Sequence, residues 1–534
     1  MNMSALFLTI LFSIFSTTTM TYVTLATPIG PWMGPTLALL SIALFRLRFH
    51  FLSQKTVFLA IIGGSLGGII ATAFGFSFPT FYFLSAQDFN LFFASPLKAI
   101  LLLASFSIIA GLLVYALLFF VHETLLNRQE LSFPVGRLVY DTVASTKNIS
   151  SVYQLLISFF LTFFYGISLL VAVIKGFIVR VYVQLIPAYA IGMITVPALS
   201  VDFSLLPMLW SIGFIAGHLI TVPLLAGTIA RIFVADTLHH MYFSYISSTE
   251  FLFAFCSGIV LSGALETLLQ TPLKMYDFFT GARKAHSTHM TFAHVLDYAK
   301  DLRILAALGV FYMFFSYLKF SLIAQIYVVL LTLLCTYQIV VIAGKIGMAL
   351  LGRFATFVMV PGLLLFGFDS LQVTLVALFV ELAGGVATEM MFGLKTAQLA
   401  KLQKREVFLF QILGIVISSC VVAVVMWFLC THFQLGSQQL FAQRAQGRAL
   451  LINAASFDYI VLCVGALFGW FLKKIKLNPM LVLGGLLMNI SLTCGLVLGG
   501  LSTFLVAKKE DFEPLCSGMY AANSLYMLVQ AFLI

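Results

Sequence analysis

Two glutamates, Glu381 and Glu389, lie eight positions apart within the apolar run Leu371–Leu394. A charged acid in the middle of a membrane span costs about 2.5–3.5 kcal/mol on insertion scales. Burial favours the protonated carboxyl and brings its titration towards neutrality, which is the chemistry of a group that takes up and releases protons. On an unbroken helix Glu389 stands about 12 Å beyond Glu381 and about 80° around the axis, on a neighbouring face. Lys395 and Thr396 follow; Lys395 is six positions from Glu389, outside the spacing that forms an intrahelical ion pair. Lys395 reads either as a holder of a substrate carboxylate or as a lysine that snorkels to the membrane surface.

A second polar segment is Glu130-Leu131-Ser132-Phe133-Pro134-Val135-Gly136. Proline lacks the backbone donor and glycine admits unusual dihedrals, so Phe133-Pro134-x-Gly136 reads as a forced helix break. The amides of the half-helix that follows are then available for a carboxylate, and Glu130 reads either as part of that site or as a helix-end charge. His218 and Glu266 sit inside the further apolar runs Phe203–Ala230 and Tyr245–Leu269. Each is a candidate proton acceptor; a histidine bonded to a neighbouring helix and an acid facing the interface are the alternative readings.

The elements that must position these groups follow from composition. With 61% of 534 residues hydrophobic and 9% charged, the chain has too little polar surface for a water-soluble fold. It reads as an all-α polytopic membrane protein, because the apolar runs are continuous and lack the alternation of a barrel. The length rule gives about sixteen spans, among them Ala5–Leu25, Thr56–Phe76, Pro96–Val121, Val181–Ser200, Leu371–Leu394 and Phe408–Leu429. Ala5–Leu25 has no basic segment before it and reads as a retained span rather than a removed signal. Glycine pairs such as Gly63-Gly64 and Gly384-Gly385 fit either close helix packing or broken, re-entrant helices lining a cavity.

The net charge of +10 would suggest nucleic acid in a soluble protein. Here the basic residues fill short gaps between apolar runs, as in Arg46/Arg48/Lys55 and Lys395/Lys401/Lys404/Arg405, which is a topology signal placing both termini in the cytoplasm. The seven cysteines lie mostly inside apolar runs without paired spacing. The expected division is an N-terminal half (1–270), a cytoplasmic connecting loop (271–303) and a C-terminal half (304–534). The segments starting at Pro187 and Pro479 each reach a glycine after four residues, Gly192 and Gly484, which hints that the halves are related.

Enzyme and pump motifs are missing. His122-Glu123 has no second histidine at metalloprotease spacing, His239-His240-Met241 has no acidic or cysteine partners nearby, and no phosphate-binding glycine loop is present. No metal or cofactor is expected, a membrane-embedded enzyme is disfavoured, and no repeated filter sequence points to a channel. What remains is a transporter, with a polar site that two half-structures expose alternately and a carboxylate that couples the motion to a proton gradient.

Glu130–Gly136 resembles the E-L-x-F-P-x-G signature of the oligopeptide transporter (OPT) family, which includes the yellow stripe-like metal-chelate carriers. Glu389-Met390-Met391-Phe392-Gly393-Leu394-Lys395-Thr396 is similar to that family's D-L-M-Q-D-L-K-T-G, with Gly393 replacing the second acid and Ala397 the final glycine. The Asn-Pro-Gly-Pro-Phe segment of the fungal and plant peptide carriers is absent, so the chain resembles a divergent, bacterial-type member. The resemblance implies about sixteen helices and proton-coupled import of short oligopeptides or peptide-like compounds. Uptake of metal chelates of siderophore or nicotianamine type is the alternative substrate class. The implied site is Glu130, Phe133, Pro134, Gly136, Glu389, Lys395 and Thr396 for substrate, with Glu381, Glu389, His218 and Glu266 for protons. Its partners are a small substrate, protons and the bilayer of a bacterial inner membrane, with homo-oligomers compatible and nucleic acid excluded.

Overall fold

The computed structural model describes residues 3–28, 30, 32–46, 53–126, 131, 133–144, 149–174, 182–186, 189–191, 194–196, 199–202, 207–248, 250–259, 261–262, 302–346, 349, 351–437, 439–456, 458–487, 490–506 and, beyond these, 511–512, 514–516, 518–519, 522–523 and 526. The helices in chain order are α1 (Met3–Ala26), α2 (Met33–Arg46), α3 (Gln54–Ser77), α4 (Thr80–Leu84), α5 (Ala86–Phe93), α6 (Pro96–Leu126), α7 (Pro134–Ala144), α8 (Ile149–Ile174), α9 (Pro207–Ala216), α10 (His218–Ala230) and α11 (Asp236–Tyr242). They continue with α12 (Glu250–Ile259), α13 (Leu302–Tyr317), α14 (Leu322–Ile346), α15 (Leu351–Phe366), α16 (Ser370–Leu399), α17 (Lys404–His432), α18 (Gln443–Ile452), α19 (Tyr459–Lys474), α20 (Pro479–Leu487) and α21 (Ile490–Ser502). Among the described residues seven helices are long and apolar enough to cross a membrane, and five shorter apolar helices accompany them. The chain is a predominantly α-helical polytopic membrane protein.

Val181–Ser200, expected to be a span, instead contains most of four short strands. Strand β1 (Tyr182–Ile186) pairs antiparallel with β4 (Leu199–Asp202), and β2 (Tyr189–Ile191) with β3 (Ile194–Val196). Pro187, Gly192 and Pro197 recur too often for a helix, and the β-branched Val183, Ile186, Ile191, Ile194, Thr195 and Val196 favour extended backbone.

The chain forms two compact units, each drawing on both halves of the sequence: Met1–Thr21, Gly30–Lys147 and Ala264–Thr431 form the first, and Tyr22–Ile29, Asn148–Gly263 and His432–Ile534 the second. The first is built around α3 and α16, which pack against each other. Every residue from Thr56 to Ser77 and from Val373 to Leu394 is buried. Both helices run unbroken through their glycine pairs, so close packing is the role of those pairs. A Cβ on Gly385 would lie 2.7 Å from Ile69 Cγ1 of α3, one on Gly384 2.4 Å from Ile339 Cδ1 of α14, and one on Gly414 of α17 2.0 Å from the Gly63 carbonyl oxygen. Each terminus is also defined locally: Ser53 caps α3, and Asp369 with Gln372 forms a capping box on α16.

The second unit contains an internal two-fold pattern. One sequence interval separates Pro207-Met208-Leu209 from Pro479-Met480-Leu481, Gly213 from Gly485, Thr221 from Thr493 and Gly227 from Gly499. Helix α9 packs on α21 and α10 on α20, and the contacts are reciprocal. A Cβ on Gly213 would meet the Leu496 carbonyl oxygen at 2.0 Å and one on Gly485 the Leu224 oxygen at 2.1 Å; Gly499 faces Trp210 O and Gly227 faces Val482 O, both at 2.0 Å. The partner residues Leu224/Leu496 and Trp210/Val482 are separated by that same interval. The first unit shows the same logic: Gly67 and Gly68 of α3 correspond to Gly384 and Gly385 of α16, packing on α1 and α2 in one case and on α14 and α15 in the other.

These glycine contacts make a direct test. Gly213→Ala and Gly485→Ala should each lower the melting temperature of the purified protein, by an amount equivalent to about 1–3 kcal/mol, because backbone cannot move aside as a side-chain tip can. The two effects should be alike. Gly309→Ala in α13, where a Cβ meets nothing within 4 Å, should be neutral or stabilising by up to about 1 kcal/mol.

Candidate functional site

Helix α16 carries both acids of the first unit's core. Glu381 is 0% and Glu389 4% exposed, and among the described residues of this unit no lysine or arginine is buried with them. Their environments differ. Ser77 Oγ, at the end of α3, donates to Glu381 Oε2 at 2.6 Å. Glu389 Oε2 has no hydrogen-bond partner among the described residues, while the Ser65 hydroxyl of α3 lies beside its carboxyl. Its Oε1 lies 3.8 Å from the point where a Cβ on Gly34, in the first turn of α2, would stand. An ionised carboxylate buried without a counter-charge is costly.

The segment following Glu389 is tied to the start of α7. Phe133 adopts φ +48°, its N–H donates to the Gly344 carbonyl at the end of α14 at 2.8 Å, and Pro134 is the first residue of α7, as its fixed φ and missing donor favour. The break expected at Phe133-Pro134 is therefore present. Gly136 presses on α16, where a Cβ would lie 2.5 Å from the Phe392 carbonyl oxygen. Thr396 Oγ1 donates towards Gly136 O at 2.8 Å and towards Phe392 O at 3.0 Å. The Phe392 ring meets Trp32 edge-on at 4.9 Å and Phe133 at 6.3 Å. From α17, Gln411 Nε2 donates to Met390 O at 3.0 Å.

Thus Phe133, Pro134, Gly136, Glu389, Lys395 and Thr396 gather about one stretch of α16, with Glu381 further along the same helix. In the first turn of α7, Pro134 has no donor and Arg137 N–H is bonded to Phe133 O. Lys395 Nζ donates to Gln398 Oε1 at 3.1 Å in an exposed position. His218 opens α10 in the second unit, and Glu130 and Glu266 lie outside the described residues. Sequence reasoning missed Ser65, Ser77 and Gly34, which face the acids. The available signal was the set of hydroxyls in the otherwise apolar α3 run, where the glycines drew notice instead.

At the Lys-rich end of α16 a cavity of about 370 Å³ is lined by His122, Glu123, Gln398, Lys401 and Lys404 together with apolar side chains. Glu123 pairs with Lys404, whose hydrogen bond and charge hold the exposed Glu123 carboxyl below the ordinary carboxylate range. Lys55 pairs with Glu406 at 2.6 Å. These exposed pairs tie α6 and α3 to the start of α17, each with a modest energetic contribution.

Residues 293–534 match the family described as OPT oligopeptide transporter protein. The matched stretch includes Glu381, Glu389, Lys395 and Thr396, whereas Glu130–Gly136 precedes it. No curated protein matches the chain.

The junction of α7 with α16 is testable by substitution. Gly136→Ala should destabilise the protein by about 1–3 kcal/mol, and Thr396→Val by about 1 kcal/mol through loss of the hydroxyl bond to Gly136 O. Thermal unfolding in detergent would read both effects, and an unchanged melting temperature in Gly136→Ala would contradict the close approach.

Proposed function

We propose that the chain, of which residues 293–534 match the OPT oligopeptide transporter family, is a proton-coupled secondary transporter importing short oligopeptides or peptide-like compounds. The observation that carries this reading is the pair of glutamates, Glu381 and Glu389, buried on α16 in the core of the first unit. Protonation removes their desolvation cost, so loading and releasing a proton changes the stability of one packing of α3 and α16 relative to another. Glu381, held by Ser77, and Glu389, with one oxygen open, are the proton-coupling residues in this scheme. Phe133, Gly136, Lys395 and Thr396 shape the substrate side. His218, Glu130 and Glu266 are kept as further candidates from the sequence.

Support for alternating exposure comes from the recurrence of elements. Helices α1, α2, α3, α6 and α7 of the N-terminal half are followed in the C-terminal half by α14, α15, α16, α17 and α18 in the same order, and α9 and α10 by α20 and α21. Related halves, 1–270 and 304–534, joined by 271–303, can rock against each other about a central site. The acids break the symmetry, since the positions in α3 matching Glu381 and Glu389 are Gly64 and Thr72. Coupling therefore resides in one half. Insertion in a bacterial inner membrane with both termini cytoplasmic agrees with the distribution of lysine and arginine.

Proteoliposome uptake of labelled di- to hexapeptides, with and without an imposed proton gradient, tests the proposal. Uptake should rise with an inward gradient and fall tenfold or more in Glu381→Gln. Uptake indifferent to collapse of the gradient would remove the coupling, and full gradient-driven uptake in Glu381→Gln would remove that residue from the proton path.

A further inference from the structure

The two acids of α16 differ in what they have left to bind. Ser77 already donates to Glu381, whereas Glu389 Oε2 is buried and has no hydrogen-bond partner among the described residues. Four elements converge on Glu389: Gly34 of α2, with Trp32 just before that helix; Ser65 of α3; Val139 of α7, 3.0 Å from the point a Gly34 Cβ would occupy; and Phe392, one turn along α16. We propose that Glu389 receives the free amino group of the transported compound, as an alkylammonium ion, which rests on the transport reading given above.

The chemistry of the surroundings selects that ion. A single carboxylate oxygen and a hydroxyl offer acceptors to a group with three donors, and the edge-on pair Trp32–Phe392, whose Phe392 lies one turn from Glu389, supplies the aromatic surroundings that ammonium ions favour. A divalent metal would require more ligands; among the described residues no group of three or more His, Cys, Asp or Glu gathers to hold one. Among the described residues no buried lysine of this unit supplies an ammonium, and Lys395 is bonded to Gln398 in an exposed position. Glycine at position 34 leaves the carboxyl side of the cradle free of a side chain. The ammonium ion binds Glu389 in its ionised form, as a charge-assisted hydrogen-bonded pair.

The test compares trialanine with N-acetyltrialanine, which has the same backbone and no ammonium. In wild type, N-acetylation should weaken half-saturation of uptake tenfold or more. In Glu389→Gln, the two peptides should be handled alike, at the level of the acetylated peptide in wild type. Binding is read separately as the rise in melting temperature of the purified protein with each peptide, which also shows that the variant is folded. Trp32→Leu should weaken trialanine binding several-fold and leave N-acetyltrialanine unchanged. Equal binding of both peptides by wild type, or discrimination retained in Glu389→Gln, would overturn the inference. Selective binding of trialanine without uptake would leave the inference standing and refute transport of that peptide.

Discussion

The first unit depends on the approach of α3 to its neighbours at backbone distance. Gly63 opposes Gly414 across α17, and Gly385 receives Ile69 of α3; with larger residues at these points the helices would have to separate. Close approach excludes lipid and water together, which is why every residue over more than five turns of each of α3 and α16 is buried. In a bilayer such packing replaces the hydrophobic drive that holds soluble cores together, since lipid chains are as apolar as leucine. The glycines are thus the condition under which polar groups can be enclosed here.

That enclosure gives the acids their character. Glu381 and Glu389 lie on a helix whose other core residues are apolar or small, and the hydroxyls opposite come from α3 alone in the case of Ser65 and Ser77. Any change in how α3 lies on α16 alters hydrogen bonding to both carboxyls at once. The junction at Phe133 adds a third helix to this arrangement. Its left-handed backbone, worth about 1–2 kcal/mol of strain, is held by the bond to Gly344 O. The matching residue of the second unit is Ala442, which has φ +50° and donates to Leu25 O at 2.7 Å. Both short helices therefore begin with the same device, a strained residue pinned to the end of a long span.

Much of this was legible in the residues, and the remainder escaped for physical reasons. The acids announced themselves by desolvation cost, and the break before α7 by Pro134 and Gly136. The partner of that break did not: Ala442 precedes Gln443, and neither type signals a left-handed turn. The recurrence between halves was legible in outline but tied to the wrong segment, because Pro187 and Gly192 imitate Pro479 and Gly484. The reciprocal glycine contacts match Pro207 with Pro479 instead, a correspondence carried by Pro-Met-Leu and by glycines whose meaning lies in what they touch. Val181–Ser200 misled for the opposite reason. Its hydropathy suits a span, but hydropathy ignores the prolines and β-branched residues that decide its backbone. Ser65 and Ser77 needed the register of α3 on α16, which periodicity within one helix does not supply.

The reciprocal contacts of α9 with α21 and of α10 with α20 have the form of an isologous interface, in which one patch meets its own copy. In a homodimer every substitution in such a patch acts twice, so both copies are bound to a common sequence. Joined in one chain, the copies are free to drift apart, and a substitution acts once. Gly213, Gly227, Gly485 and Gly499 remain matched because each faces a carbonyl that leaves no room for a side chain. His218 and Ile490 occupy corresponding places between them and have diverged. A fused pair of this kind can hold its seam constant while one copy alone acquires new chemistry, as α16 has done with its acids opposite the glycine and threonine of α3.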